Sequence, residues 1–171
     1  MVVVTVIGCG VLGSRVAAEL GMCGHKVTRD MLRHVTRDMI TCDTWQVRVW
    51  DQDPCRLDTL PQQLALDREA AAEAGLVRGG SLGEVTCLPQ LDLALSGATI
   101  VIEAVAEELE AKTELMRRVG EVAAEDAVLA SSTLRLDLGQ IFSQVSRPGR
   151  CLGLRFLFPV IAIPEVEVSP W

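Results

Sequence analysis

A chain of 171 residues, 49% of them hydrophobic, is long enough to bury one sizeable core, so a single domain is expected. Its 23 acidic residues outnumber its 16 basic residues, and a formal net charge of −7 argues against nucleic acid or an anionic membrane as a partner. No apolar run approaches the roughly 18 residues of a membrane span, and a strand beginning at residue 2 leaves no room for a targeting peptide, so a cytoplasmic protein is expected.

The first predicted strand covers residues 2–7, of which five of six are Val or Ile. Such a β-branched run is typical of a strand buried on both faces. A G-x-G-x-x-G turn follows and leads into helix-forming sequence; its residues are Gly8, Cys9, Gly10, Val11, Leu12 and Gly13. Gly8 permits the tight turn, Gly10 lets the backbone approach a pyrophosphate, and Gly13 lets the helix pack closely. This order predicts a dinucleotide site, with an ordinary tight turn as the alternative.

The first helix is expected to end near residues 21–24, and a second strand is predicted at residues 46–51, which end in Asp51. A carboxylate at that point accepts hydrogen bonds from the adenosine ribose and repels a 2′-phosphate, so Asp51 favours NAD over NADP. The alternative is that Asp51 caps the next helix, although Asp53 fits that cap better.

Asp51 lies well beyond the spacing of about 20 residues that the fingerprint predicts. Residues 27–46 explain the excess, because they contain a direct repeat of Val-Thr-Arg-Asp-Met that starts at Val27 and again at Val35. We interpret this segment as an insertion after the first helix, either helical or a mobile loop. His34 lies within it and is expected to be solvated rather than catalytic.

Strands and helices alternate through the rest of the chain, which predicts a Rossmann-like α/β fold with a doubly wound, mostly parallel sheet. Helices are predicted at residues 55–75 (interrupted by Pro61), 91–95, 109–124 and 136–145, and strands at residues 84–88, 99–105, 127–131 and 151–156.

Six cysteines are scattered without a C-x-x-C pair or a nearby histidine at ligand spacing. They are expected to be mostly small buried hydrophobic residues, so no metal site and no disulfide framework are predicted.

Four motifs in this order resemble the NAD-binding domain of the 3-hydroxyacyl-CoA dehydrogenases, over nearly the whole chain apart from the insertion. They are the glycine turn, Ile-Glu-Ala-Val-Ala-Glu at 102–107 with Lys112, Ala-Ser-Ser-Thr at 130–133, and Gly-Leu-Arg-Phe-Leu-Phe-Pro-Val at 153–160 with Glu-Val-Glu-Val at 165–168. The resemblance implies that the glycine turn and Asp51 hold NAD. It also implies that Glu107 and Lys112 line the nicotinamide half of the site; the alternative is a solvated helix start and a surface lysine.

The resemblance further implies hydride transfer to NAD, with a His taking the hydroxyl proton and a Glu orienting that His. Glu167 matches the Glu, but Arg155 stands at the position of the His, and an arginine cannot act as a base. Leu134 and Phe158 stand where the family has a substrate-binding Ser and a supporting Asn. The family also continues into a helical domain that completes the acyl-CoA site, so few acyl-CoA contacts are expected from these 171 residues.

Three functional hypotheses follow. The first is an NAD-binding, catalytically impaired relative of the dehydrogenases. The second is an active NAD-dependent oxidoreductase on a different hydroxy substrate, with Glu107 or Glu167 as proton acceptor and Arg155 binding a carboxylate or phosphate. The third is a protein that neither binds nor turns over a ligand, because the insertion disrupts the second strand. The sequence leaves the oligomeric state open.

Overall fold

A computed structural model describes residues 2–23, 45–76, 84–163 and 165–170. Within these residues seven strands form one sheet: β1 (Val2–Ile7), β2 (Trp45–Trp50), β3 (Glu84–Cys87), β4 (Ile100–Glu103), β5 (Val128–Ser131), β6 (Cys151–Phe156) and β7 (Val166–Pro170). The strand order is β3-β2-β1-β4-β5-β6-β7, and only the pairing of β6 with β7 is antiparallel. This order confirms the Rossmann-like fold, since the order reverses between β1 and β4 as in dinucleotide-binding sheets.

Helices cover both faces of the sheet within the described residues. They are α1 (Val11–Cys23), α2 (Pro54–Glu73), α3 (Leu91–Leu95), α4 (Leu109–Val122) and α5 (Leu138–Ile141). Apolar residues of α1 and α2 pack on one face of the sheet, and those of α3, α4 and α5 pack on the other. All six residues of β1 are buried, as expected for a strand covered on both sides.

The predicted elements are present with shifted ends. Pro61 does not interrupt α2, which is continuous through it. Pro61 lies on the exposed side of the helix, where water can bond the carbonyl that proline leaves without an N–H, while Leu57 and Leu60 are buried. The helix predicted at 136–145 is a single turn, Leu138–Ile141. Its start is set by Asp137, whose carboxylate accepts a hydrogen bond from the Gln140 backbone N–H at 2.9 Å.

Most of the predicted insertion, residues 27–46, lies outside the described residues, and so does His34. Its last two residues, Trp45 and Gln46, belong to β2 and pair with Val2 and Val3 of β1. The second strand therefore begins one residue earlier than predicted and is fully paired with the first.

Among the described helices, none combines the length and apolar character that crossing a bilayer requires. The described residues also contain no group of three His, Cys, Asp or Glu side chains arranged to hold a metal ion.

Candidate functional site

The glycine turn between β1 and α1 has a geometry that requires glycine at two positions. Gly8 has φ +96°, and a Cβ atom there would lie 2.8 Å from the carbonyl oxygen of Ala104. A Cβ atom at Gly13 would overlap the carbonyl oxygen of Gly8. Among the described residues, and apart from the turn's own backbone, the one atom within 4 Å of a Cβ atom placed at Gly10 is Arg56 Nη1, at 3.9 Å, so this side of the turn is open to a ligand. Gly8 and Gly13 therefore set the turn, and Gly10 faces the site.

Asp51 follows β2 directly and is almost completely buried beside the turn. Its Oδ2 accepts a hydrogen bond from the Cys9 backbone N–H at 2.7 Å, and its Oδ1 accepts one from Asp53 N–H at 2.9 Å. The cap of α2 is Asp53, whose Oδ1 accepts the Cys55 N–H at 3.0 Å. The alternative that Asp51 is the helix cap is therefore wrong, and its carboxylate is instead fixed at the glycine turn.

A cavity of about 660 Å³ opens at the carboxyl ends of β1, β2 and β4, where ligands bind in doubly wound sheets. Its lining comes from the glycine turn (Gly8, Gly10, Val11, Leu12), the end of β2 and start of α2 (Trp50, Asp51, Gln52, Arg56), the segment after β4 (Ala104, Val105, Ala106, Glu108) and α4 (Ala111, Glu114, Leu115, Arg118). The residues that the cavity brings together are those expected for the adenosine and pyrophosphate half of a dinucleotide.

Glu107 ties the segment after β4 to the segment after β5. Its Oε1 accepts hydrogen bonds from Thr133 Oγ1 at 2.6 Å, from Leu134 N–H at 2.8 Å and from Arg135 N–H at 3.0 Å. Its Oε2 lies 3.4 Å from the Lys112 Nζ. Burial acts to raise the pKa of this carboxyl, but these hydrogen bonds and the lysine charge outweigh it and lower the pKa from 4.5 to about 2.

Lys112 is completely buried in α4, so the alternative of a surface lysine is wrong. Its ammonium donates to Glu103 Oε1 at 2.5 Å and to the Val105 carbonyl at 3.3 Å. Glu103 also accepts hydrogen bonds from Ser131 Oγ at 2.5 Å and from Val105 N–H at 2.7 Å. Lys112 thus lies between two carboxylates, beneath the site rather than in the cavity lining.

Arg155 and Glu167 are directly opposite each other on β6 and β7, and Arg155 Nη1 lies 3.0 Å from Glu167 Oε2. Glu167 is therefore not without a partner: an arginine occupies the place that the resemblance gives to a histidine. A small cavity of about 180 Å³ lies beside the pair and includes Leu134. The side chains of Leu134 and Phe158 are both more than half exposed.

The cysteine of the glycine turn is not a nucleophile. Burial, followed by the charge of Asp51 and a hydrogen bond to it, raises the pKa of the Cys9 thiol to about 12. The thiol therefore stays protonated at neutral pH, and the contribution of Cys9 to the site is its backbone N–H.

Of the predicted site residues, the structure places Gly8, Gly10, Val11, Leu12 and Asp51 in the cavity lining. Cys9 and Gly13 shape the turn from behind, whereas Glu107, Lys112 and Glu167 lie outside that lining. Sequence reasoning missed Arg56 and the α4 residues. The order of the strands could have indicated α4, because a helix that follows β4 lies next to β1.

Three features define a dinucleotide-binding domain of the dehydrogenase type. They are a glycine turn at a helix start, an acidic residue after the second strand, and a cavity at the point where the strand order reverses. The profile of one family, described as 3-hydroxyacyl-CoA dehydrogenase, NAD binding domain, matches residues 3–170. The chain belongs to this family, and NAD is the cofactor of the domain.

Named relatives agree with this assignment. A 3-hydroxybutyryl-CoA dehydrogenase of Mycobacterium tuberculosis is 29% identical over 170 residues, and the mitochondrial hydroxyacyl-coenzyme A dehydrogenase of Rattus norvegicus is 27% identical over 165 residues. These matches cover 96% of this chain but 52% and 49% of the relatives, so the chain spans about half their length. The crystal structure of M. tuberculosis FadB2 superposes with a TM-score of 0.75 at 26% identity, covering 96% of this chain and 52% of that one.

The geometry of the residues around the cavity fits NAD. Gly10 leaves room for a pyrophosphate at the start of α1, where the unpaired backbone N–H groups of a helix favour an anion. Each carboxylate oxygen of Asp51 accepts one backbone hydrogen bond and keeps a second lone-pair direction for a ribose hydroxyl. Bound NAD would supply the hydride acceptor, and these residues would hold its adenosine and diphosphate.

Proposed function

We propose that this 171-residue chain binds NAD(H) and does not itself oxidise 3-hydroxyacyl-CoA substrates. The observation that carries the proposal is the ion pair between Arg155 and Glu167 at the place where the resemblance implies a His–Glu pair. A guanidinium remains protonated throughout the working pH range, so Arg155 cannot remove a hydroxyl proton. Base catalysis contributes about 10²- to 10⁴-fold to such reactions, and that contribution is missing here.

Neither nearby carboxylate is a good replacement for the missing base. Glu107 has a pKa of about 2 and already accepts three hydrogen bonds through Oε1, so it has little tendency to take a proton. Glu167 is paired with Arg155. These contacts count against the second hypothesis, an oxidoreductase that uses Glu107 or Glu167 as its proton acceptor on another hydroxy substrate.

Substrate positioning is weakened as well. Leu134 and Phe158 are exposed hydrophobic side chains, and neither can donate the hydrogen bonds that the resemblance assigns to a Ser and an Asn at these positions. A substrate oxygen held by no donor loses part of the orientation on which hydride transfer depends. We therefore expect a site that retains the groups that hold the cofactor and lacks the groups that position the substrate.

The experiment measures NADH formation from NAD and 3-hydroxybutyryl-CoA by the purified chain, with NADH binding measured on the same preparation as the control. We expect saturable NADH binding and no turnover above the blank. Arg155→His alone should not restore turnover, because Leu134 and Phe158 remain. Turnover by the unmodified chain at ordinary enzyme rates would contradict the proposal.

A further inference from the structure

Arg56 is the cationic side chain nearest to Asp51 in the cavity, and the family resemblance gave no reason to expect it there. It lies in the first turn of α2, its side chain is 57% exposed, and it lines the cavity beside Asp51 and Gln52. Its Nη1 is 3.9 Å from Asp51 Oδ2, and its Nε is 3.5 Å from Asp53 Oδ2. Both ion pairs are long, so the guanidinium is held near these carboxylates without a tight bidentate contact.

Asp51 alone would make the site selective for NAD, because a buried carboxylate repels the phosphate that NADP carries on its adenosine ribose. Here Asp51 Oδ2, the oxygen that accepts the Cys9 backbone N–H, has the Arg56 guanidinium within 4 Å. The cation offsets the carboxylate's charge and offers N–H donors in the cavity beside Asp51, next to the ribose that this carboxylate would hold.

We propose that Arg56 is a specificity-determining residue that lets this site accept NADP(H) alongside NAD(H). This inference rests on the proposed cofactor binding and extends it to a second dinucleotide. In the NAD complex, Asp51 accepts hydrogen bonds from the ribose hydroxyls and Arg56 stays paired with the acids. In the NADP complex, the exposed guanidinium turns from Asp53 to the 2′-phosphate.

Arg118 provides a matched control. It lines the same cavity from α4, which follows β4, whereas Asp51 and Arg56 follow β2; β1 lies between those two strands. Arg118→Ala removes one positive charge from the cavity, as Arg56→Ala does, but on the opposite side of β1. A purely electrostatic effect of net charge would therefore be shared by the two arginines, and a local contact with the 2′-phosphate would not.

The test measures dissociation constants of NADH, NADPH, 5′-ADP and 2′,5′-ADP for the full chain, Arg56→Ala and Arg118→Ala, with thermal unfolding to confirm folding. We expect the unmodified chain to bind NADPH within about tenfold of NADH. Arg56→Ala should weaken NADPH and 2′,5′-ADP by about tenfold or more and change NADH and 5′-ADP by less than about threefold. Arg118→Ala should leave the NADPH-to-NADH ratio unchanged.

Other outcomes distinguish failure of the Arg56 inference from failure of the proposed cofactor binding. If Arg56→Ala weakens NADH and NADPH equally, Arg56 contacts the diphosphate or the adenine and the inference is wrong. A strong NADH preference that Arg56→Ala leaves unchanged would also overturn it, while the proposed cofactor binding would stand. If the unmodified chain binds none of the four ligands, the proposed function fails and this inference fails with it.

Discussion

Glu107 carries a negative charge at the site and also holds neighbouring backbone segments together. Three donors converge on its Oε1 and a buried lysine faces its Oε2, so the ionised carboxylate links two loops at the carboxyl edge of the sheet. The same contacts that make Glu107 a poor base make it a stabilising group. Its role at the residue scale is to hold the backbone of residues 133–135 in place.

The lowered pKa of Glu107 predicts a stability that depends on pH. The folded-state value of about 2 lies below the ordinary 4.5, so the stabilisation is present above pH 4.5 and is lost as the pH falls through about 2. We expect Glu107→Gln to lower the free energy of unfolding at pH 7 by roughly 1–2 kcal/mol, a figure reduced for partial exposure to solvent.

Urea unfolding at pH 7 and at pH 3.5 measures this effect. The difference between Glu107→Gln and the unmodified chain should be smaller at the lower pH. Glu110→Gln, an exposed glutamate in the first turn of α4, is the control and should change stability by less than about 0.5 kcal/mol at either pH. A Glu107 effect that is independent of pH would contradict the assigned role of its charge.

At the scale of elements, the buried pair of Lys112 and Glu103 joins α4 to the end of β4, and Ser131 extends it to β5. These elements form the wall of the site next to β1. Because both charged side chains are completely inaccessible to solvent, each depends on the other for its stabilisation.

Removing one member of this pair should cost more than removing both. We expect Lys112→Met to destabilise the chain by about 3–5 kcal/mol, because it leaves the Glu103 carboxylate buried without its cation. The double variant Lys112→Met with Glu103→Gln should regain part of that loss. Chemical denaturation of the unmodified chain and of these two variants tests this, and a double variant less stable than Lys112→Met would show that the pair is not coupled as described.

Most helices and strands were predictable, because β-branched runs such as Val2–Ile7 and glycine turns indicate the local backbone structure. The ends of short elements were not. Asp137 starts α5 two residues later than predicted, because a cap depends on one side-chain contact that the apolar pattern does not contain, and the helix ends after one turn at Ile141.

The part of the site that belongs to a local sequence motif was predictable, and the part that depends on the order of the strands was not. Gly8, Gly10 and Asp51 belong to a motif whose spacing is recognisable when residues 27–46 are counted as an insertion. The structure brings these three residues together in the cavity lining. Arg56 and Arg118 reach the cavity only because β2 and β4 flank β1, which is a property of the sheet order and not of any local motif.

At the scale of the molecule, the seven-stranded sheet of the described residues carries two half-sites at its carboxyl edge. The half around β1 and β2 keeps the glycine turn, the fixed Asp51 and an open cavity. The half around β5, β6 and β7 has an arginine–glutamate ion pair and exposed Leu134 where the resemblance implies proton-transfer and substrate-binding groups. This division supports the proposal that the chain binds its cofactor without carrying out the family's oxidation.

A calorimetric titration of NADH into the purified chain tests cofactor binding most directly. We expect saturable binding of one NADH per chain, weakened by about tenfold or more in Asp51→Ala, because that variant loses both the ribose acceptor and the hydrogen bond to the Cys9 backbone. Absence of saturable binding by the unmodified chain, or an affinity unchanged by Asp51→Ala, would contradict it.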